Sequence, residues 1–367
     1  MLRDTTTAYA TRVETTGHPI AGHSRPRSVA VIGAGPAGLV AASHLHRAGV
    51  DVVVFEKSRG VGGRAATRRT RENLAFDHGA QYVTARGASF AAFLAETQTS
   101  GSAARWDPVV DPPRARVAGG SVDPTPSAAA SRWYVGTPGM SSLFRSLADQ
   151  VTVRHGVTVT QVDPTDRGIW LDATDSERGS RRIGTFDAAI VAIPAPQAST
   201  IAGHLPGVSE TLASVVITPC WALMVAFDGY PLLPAEVFRR ADGPIAWVAR
   251  DASKPGRSND LTTLVVHATP EWSRDHLDEA PDAVTAHLLT ALASVVGATL
   301  STPTFAAAHR WRYAQTAVPL GAPFIEAAEG RVLIGGDWTT GARVEAAWDS
   351  GEAMANQLLH GGSVAAA

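Results

Sequence analysis

The chain has a single cysteine, Cys220, which excludes an internal disulfide framework and any cysteine-cluster metal site. Nothing else in its residue pattern points to metal catalysis. Its charges nearly cancel, leaving a formal net charge of −2, so it lacks the basic footprint that nucleic-acid binding requires. Long apolar runs are also missing: none approaches the roughly 18 residues that a bilayer-spanning helix needs. Residues 1–26 are rich in Thr and Arg and contain no apolar core segment. We therefore expect a disordered extension there rather than a secretory signal, and cytoplasmic residence. A chain of 367 residues with 45% hydrophobic content can bury a large core and exceeds one compact unit, so two interleaved domains are expected.

The most informative stretch that is present is Val29-Ala-Val-Ile-Gly33-Ala-Gly35-Pro36-Ala37-Gly38, an apolar strand running into a glycine-rich turn and a helix start. In such a turn the first glycine permits the tight bend, the second lets the backbone approach a pyrophosphate, and the third lets the helix pack on the strand. A second apolar strand ends in Glu56, suitably spaced to accept hydrogen bonds from ribose hydroxyls and to repel a 2′-phosphate. That argues for NAD or FAD over NADP. Lys57, beside the acid, is counted with the cofactor contacts.

Two further segments favour a cofactor gripped along its whole length. In Arg59-Gly-Val-Gly62-Gly63-Arg64, paired glycines allow a sharp loop while Arg64 can neutralise pyrophosphate charge. Near the other end, Arg331-Val-Leu-Ile-Gly335-Gly336-Asp337 reads as a short strand closed by Gly336 and Asp337, whose carboxylate can hold ribityl hydroxyls. A helix is expected from Val344 to His360. Its start, around Arg343, Val344 and Glu345, would aim free N–H groups at the pyrimidine edge of an isoalloxazine, where charge gathers on reduction. Ser350 and Gly351 interrupt that helix and mark close backbone packing.

These segments together resemble the FAD-dependent amine oxidase and renalase superfamily. The resemblance runs from about Val29 to Leu359 and narrows to bacterial renalase-like proteins in Asp77-His78-Gly79-Ala80-Gln81-Tyr82, Arg132-Trp-Tyr-Val-Gly136, Pro219-Cys-Trp221, Val265-Val-His267 and His309-Arg-Trp311-Arg-Tyr313. It implies FAD, held noncovalently because the C-terminal region lacks the cysteine to which some of those enzymes attach flavin, with Gly79, Ala80 and Gln81 on a strand that crosses the flavin and the backbone of Val157 holding adenine. The strand of Val157 could equally be ordinary core.

Alternating short strands and helices support an α/β fold. The resemblance makes it a Rossmann-like FAD-binding domain with an interleaved mixed-sheet substrate domain, as in amine oxidases and para-hydroxybenzoate hydroxylase. The expected FAD domain comprises residues 27–85, 136–196 and 329–361, and the substrate domain 86–135 and 197–328, with a surface excursion over Asp107–Pro126.

Candidate catalytic residues are His267, Gln81 and Tyr82; His78 could orient substrate or serve structure, and Trp221, Trp247, Trp311 and Tyr313 could stack on a planar substrate or pack the core. The amine oxidases place a lysine that holds a water against the flavin. This chain has only Lys57 and Lys254, the latter in a polar Asp-Ala-Ser-Lys-Pro-Gly-Arg stretch expected to be a loop. The resemblance therefore implies an FAD oxidase converting 2-dihydro and 6-dihydro isomers of NAD(P)H to NAD(P)+, with dioxygen reduced to hydrogen peroxide. The alternatives are oxidation of an amine or other small molecule, and a flavin-binding regulatory protein without turnover.

Overall fold

A computed structural model describes residues 25–111, 132–175, 178–229, 233–240, 243–296 and 299–361. Most of the expected N-terminal extension and of the Asp107–Pro126 excursion lies outside them.

The first sheet has six strands in the order Ile325–Ala327, Val332–Ile334, Ala188–Val191, Ser28–Ile32, Asp51–Glu56 and Thr152–His155. All neighbours are parallel except the edge strand Ile325–Ala327, which is antiparallel. Strands buried on both faces must be apolar throughout. Alternate residues of the central strand consequently enter different cores. Val29 and Val31 pack with Leu39, Val40 and Leu45 of the helix Pro36–Arg47 and with Trp348, Met354 and Ala355 of the helix Val344–His360. Ala30 and Ile32 pack on the other face with Val162, Ile169 and Leu171, which belong to a three-stranded antiparallel sheet.

The second sheet has the order Phe305–Val318, Val216–Phe227, Thr262–Ala268, Ile245–Arg250, Val237–Arg239 and Val110–Asp111. It is antiparallel apart from its last pair. One face is sealed by the helix Pro281–Val296, whose Val284, Leu288 and Leu292 repeat every fourth position and meet Leu223, Val225, Val248 and Val266. The opposite face turns toward the segment from Arg64 to Tyr82.

The division between the two sheets differs from the expected boundaries. The helices Ala195–Ala202 and Val208–Ala213 bury Ala198, Ile201, Val208 and Leu212 in the core that contains Ala30 and Ile32, so the crossover to the second sheet follows residue 213 rather than Pro196. The strand Ile325–Ala327 likewise joins the first sheet before Glu329. Both segments are short and amphipathic, and strand character alone does not say which sheet such a helix covers.

Candidate active site

The strand Ser28–Ile32 ends at Gly33, which takes φ +102° and donates its N–H to Phe55 O at 2.9 Å. A Cβ on Gly38 would lie 1.9 Å from Gly33 O, so only glycine lets the helix close onto the turn. A Cβ on Gly35 would meet nothing within 4 Å. The turn is therefore a cradle open at Gly35, where the helix beginning at Pro36 and Ala37 has no side-chain cap and its first N–H groups are free. The paired-glycine loop forms one wall: Gly62 N donates to Ala34 O at 2.8 Å, and a Cβ on Gly63 would lie 3.2 Å from Gly35 Cα.

Glu56 is buried at the end of its strand. Its Oε2 accepts from Ala34 N and its Oε1 from Ser58 N, each at 2.8 Å. Both oxygens keep a lone pair for a ribose hydroxyl. Lys57 is exposed beside it, and Val157 is buried shortly after His155, the register partner of Glu56. These features fit the adenosine and pyrophosphate portion of a dinucleotide.

Arg64 links three parts of the chain. Its Nη2 forms an ion pair with Asp337 Oδ1, and its Nη1 donates to Ala314 O at 3.2 Å. Burial raises the Asp337 carboxyl above its ordinary range, and the Arg64 charge opposes that rise. Gly336 N donates to Ser350 Oγ at 3.0 Å, fixing the turn against the helix Val344–His360. That helix starts after Arg343 without a side-chain cap. Glu345 is not free at the helix start: its Oε1 accepts from Arg86 N at 2.6 Å and Gly87 N at 2.7 Å, and its Oε2 pairs with Arg343. A Cβ on Gly351 would lie 2.3 Å from Ala37 O, the close helix approach expected for that glycine.

Register partners in an antiparallel sheet share a face. Reading the ladders across the second sheet, Arg239 pairs with Trp247, Trp247 with His267, His267 with Ala222, and Ala222 with His309. One row of this face thus carries a guanidinium, an indole and two imidazoles. The segment Asp77–Tyr82 runs beneath it. A Cβ on Gly79 would lie 2.0 Å from Arg64 O, and Ala80 N donates to that carbonyl at 2.8 Å. The His78 ring lies 4.8 Å from both His309 and Trp311, and His78 O accepts from Trp311 Nε1 at 3.0 Å. Gln81 Nε2 donates to Gly79 O at 3.0 Å and lies 3.5 Å from His267 Nε2, which is 3.2 Å from His78 O. Tyr82 stacks on Trp133 at 4.0 Å and approaches Trp247 at 5.8 Å. Trp221 faces away, fully buried in the core under the helix Pro281–Val296.

Lys254 adds a buried ion pair that the sequence reading did not give. It lies in the expected loop, just after Asp251–Ser253, but its side chain is fully buried, with Nζ 2.6 Å from Asp251 Oδ1, 3.3 Å from Asp77 Oδ2 and 3.2 Å from Gln81 Oε1. Arg257 pairs with the same Asp77 oxygen, and Met140 N donates to Asp77 Oδ1 at 2.9 Å. Burial works against the charge of Asp77, but Lys254 and Arg257 outweigh it and hold the carboxyl down to about 2. Burial, with Asp77 close by, pushes Asp251 upward against the pull of Lys254. Two cations and two carboxylates neutralise one another directly behind Gln81. The legible signal was the pairing of an acid, Asp77, beside an otherwise apolar strand with one of only two lysines in the chain.

The histidines of the row, and His78 beneath it, stay neutral. Burial lowers His267 to about 4, and burial together with His309 and Arg68 lowers His78 to about 3; burial also lowers His309. The site can position and hydrogen-bond a substrate, and the charged acids and bases beside Gln81 are already paired with one another.

The NAD(P)-binding Rossmann-like domain model matches residues 31–97, and the flavin containing amine oxidoreductase model matches residues 128–359, more than half the chain. Lysine-specific histone demethylase 1 homolog 3 of Arabidopsis thaliana is 50% identical over 58 residues, 16% of this chain and 4% of that protein. The chain thus matches only a small part of that relative's length. Among solved structures, a protein assigned as protoporphyrinogen oxidase from Exiguobacterium sp. is similar at TM-score 0.70 and 13% identity, over 91% of this chain and 98% of that one. Putrescine oxidase bound to putrescine is similar at TM-score 0.66 and 15% identity, over 91% and 99%. These structural likenesses establish the fold.

Proposed function

The chain belongs to the flavin containing amine oxidoreductase family, with FAD as its cofactor, and on that premise we propose that it is a noncovalent FAD oxidase of the 2-dihydro and 6-dihydro isomers of NAD(P)H. FAD, when bound, supplies the chemistry of hydride acceptance and of electron transfer to dioxygen, giving hydrogen peroxide.

The cradle at Gly33, Gly35, Pro36, Ala37 and Gly38 would hold the pyrophosphate, with Glu56 on the adenosine ribose, Val157 and Lys57 near the adenine end, and Gly63 and Arg64 closing over the phosphates. Gly336 and Asp337 would hold the ribityl chain. The helix start at Arg343, Val344 and Glu345, with Gly79, Ala80 and Gln81, would border the isoalloxazine.

The observation that carries the substrate reading is that the groups around Gln81 are either neutral or already paired. His267 is held neutral, and Lys254 is saturated by Asp77, Asp251 and Gln81. A dihydropyridine isomer is already a hydride donor and needs no base, only placement over the ring by Gln81, Tyr82 and His267. An alkylamine, protonated at neutral pH, needs a site that accepts or removes its charge. The family and the putrescine oxidase likeness keep amine oxidation as the second reading.

The two readings separate in an oxygen electrode. We expect dioxygen uptake and stoichiometric peroxide with the dihydronicotinamide isomers and none with a panel of primary and secondary amines. The reverse pattern would establish the amine reading, and no uptake with either would leave a flavoprotein without oxidase turnover.

A further inference from the structure

At the edge of the sheet row, Arg239 has surroundings unlike those of the arginines near it. Arg250 pairs with Glu236 at 2.9 Å, and Arg257 pairs with Asp77. Arg239 has no carboxylate within ion-pair distance among the described residues. Its guanidinium lies 5.2 Å from the ring centres of both Trp133 and Trp247, and its Nη2 donates to Tyr82 Oη at 3.3 Å. Trp247 Nε1 is buried and has no hydrogen-bond partner.

Two aromatic faces and a phenol flank a half-buried guanidinium without neutralising its charge, and its remaining N–H groups are available to a ligand. An indole N–H withdrawn from water without an acceptor is a further cost. The guanidinium without a carboxylate partner and the unsatisfied indole N–H stand on adjacent strands at register-paired positions, and the next residue along the same row is His267. The missing element common to both is an anion, and the arrangement leaves its place to the substrate.

We propose that Arg239 and Trp247 Nε1 form the receptor for an anionic group of the substrate, a phosphate or a carboxylate, at the end of the row beyond His267. Tyr82 and Trp133 form its aromatic wall. The proposal rests on the substrate domain face being the substrate site, and it narrows the substrate class to anions. A polyamine would be repelled from a guanidinium at this place.

The test uses the oxidised holoenzyme and unreactive ligands, so its outcome does not depend on whether dihydronicotinamide isomers reduce the enzyme. Flavin difference spectra are titrated with nicotinamide mononucleotide against nicotinamide riboside, and with nicotinate against nicotinamide. In at least one pair the anion should bind about tenfold tighter than its neutral counterpart, and in Arg239→Gln the preference should shrink to within about twofold with FAD occupancy retained. The pair that shows the preference identifies phosphate or carboxylate as the source. Should Arg239→Gln fail to hold FAD, Trp247→Phe removes only the second donor and should lower the preference by about threefold. Equal binding within both wild-type pairs, no response to either anion at about 10 mM, or an undiminished preference in the variants would overturn the proposal.

Discussion

Arg64 and Asp337, which lie in the first and last portions of the chain, form an ion pair at the seam between the two sheets. Through Ala314 O the same arginine also holds the strand Phe305–Val318 of the second sheet. The pair therefore does two things: it orients the carboxylate that would grip the ribityl chain, and it locks the glycine loop to the C-terminal turn.

Replacing Asp337 by Ala removes a charged acceptor and leaves Arg64 unpaired in a largely buried position. FAD retention should weaken by about 1.5–3 kcal/mol, the range for hydrogen bonds to charged groups. Flavin fluorescence after dilution measures it, and occupancy unchanged from wild type would remove Asp337 from the cofactor site.

Gly351→Ala should destabilise the fold by about 1–3 kcal/mol, because the added methyl lands on Ala37 O and forces the two helices apart. Thermal denaturation reads the change. An unaltered midpoint would mean that the helices separate freely.

Lys254→Met leaves Asp77 and Asp251 buried with Arg257 as their remaining cation. A loss of about 3–5 kcal/mol is expected in chemical denaturation, the usual result of removing one member of a buried ionic set. A neutral outcome would show that the cluster relaxes or protonates without penalty.

His267 and His78 have folded-state values near 4 and 3, below the ordinary 6.5, so the unfolded chain takes up protons first as the pH falls. Their contribution to stability is complete above about 6.5 and is lost on acidification toward those folded values. The denaturation midpoint should drop between about pH 7 and 5, and less steeply in His267→Gln. A midpoint constant over that interval would contradict the neutral row.

The glycine turn, Glu56 and the Gly351 contact were legible because each demands a residue type: a positive φ, a close approach or an acid at a strand end leaves few choices. Apolar runs mark three strands of the second sheet, Val216–Phe227, Ile245–Arg250 and Thr262–Ala268, but not Phe305–Val318, Val237–Arg239 or Val110–Asp111. The row from Arg239 to His309 was not legible, because it depends on the register of five strands, and register comes from pairing rather than from any one segment. The burial of Lys254 was hidden for a similar reason. Its partners come from Asp77 and Asp251, and a polar stretch containing Pro and Gly reads as exposed until the strand Thr262–Ala268 and the segment Asp77–Tyr82 enclose it. The coverage of the first sheet by the helices Ala195–Ala202 and Val208–Ala213 was equally a matter of tertiary packing.

Rapid anaerobic mixing of the holoenzyme with 6-dihydro-NAD, followed at the visible flavin absorbance with putrescine as the comparison, decides whether the site positions a ready hydride donor. Bleaching by the dinucleotide isomer is expected, slowed in His267→Ala with the resting spectrum intact, and none by the diamine. Bleaching by putrescine with an inert dinucleotide isomer would contradict that role.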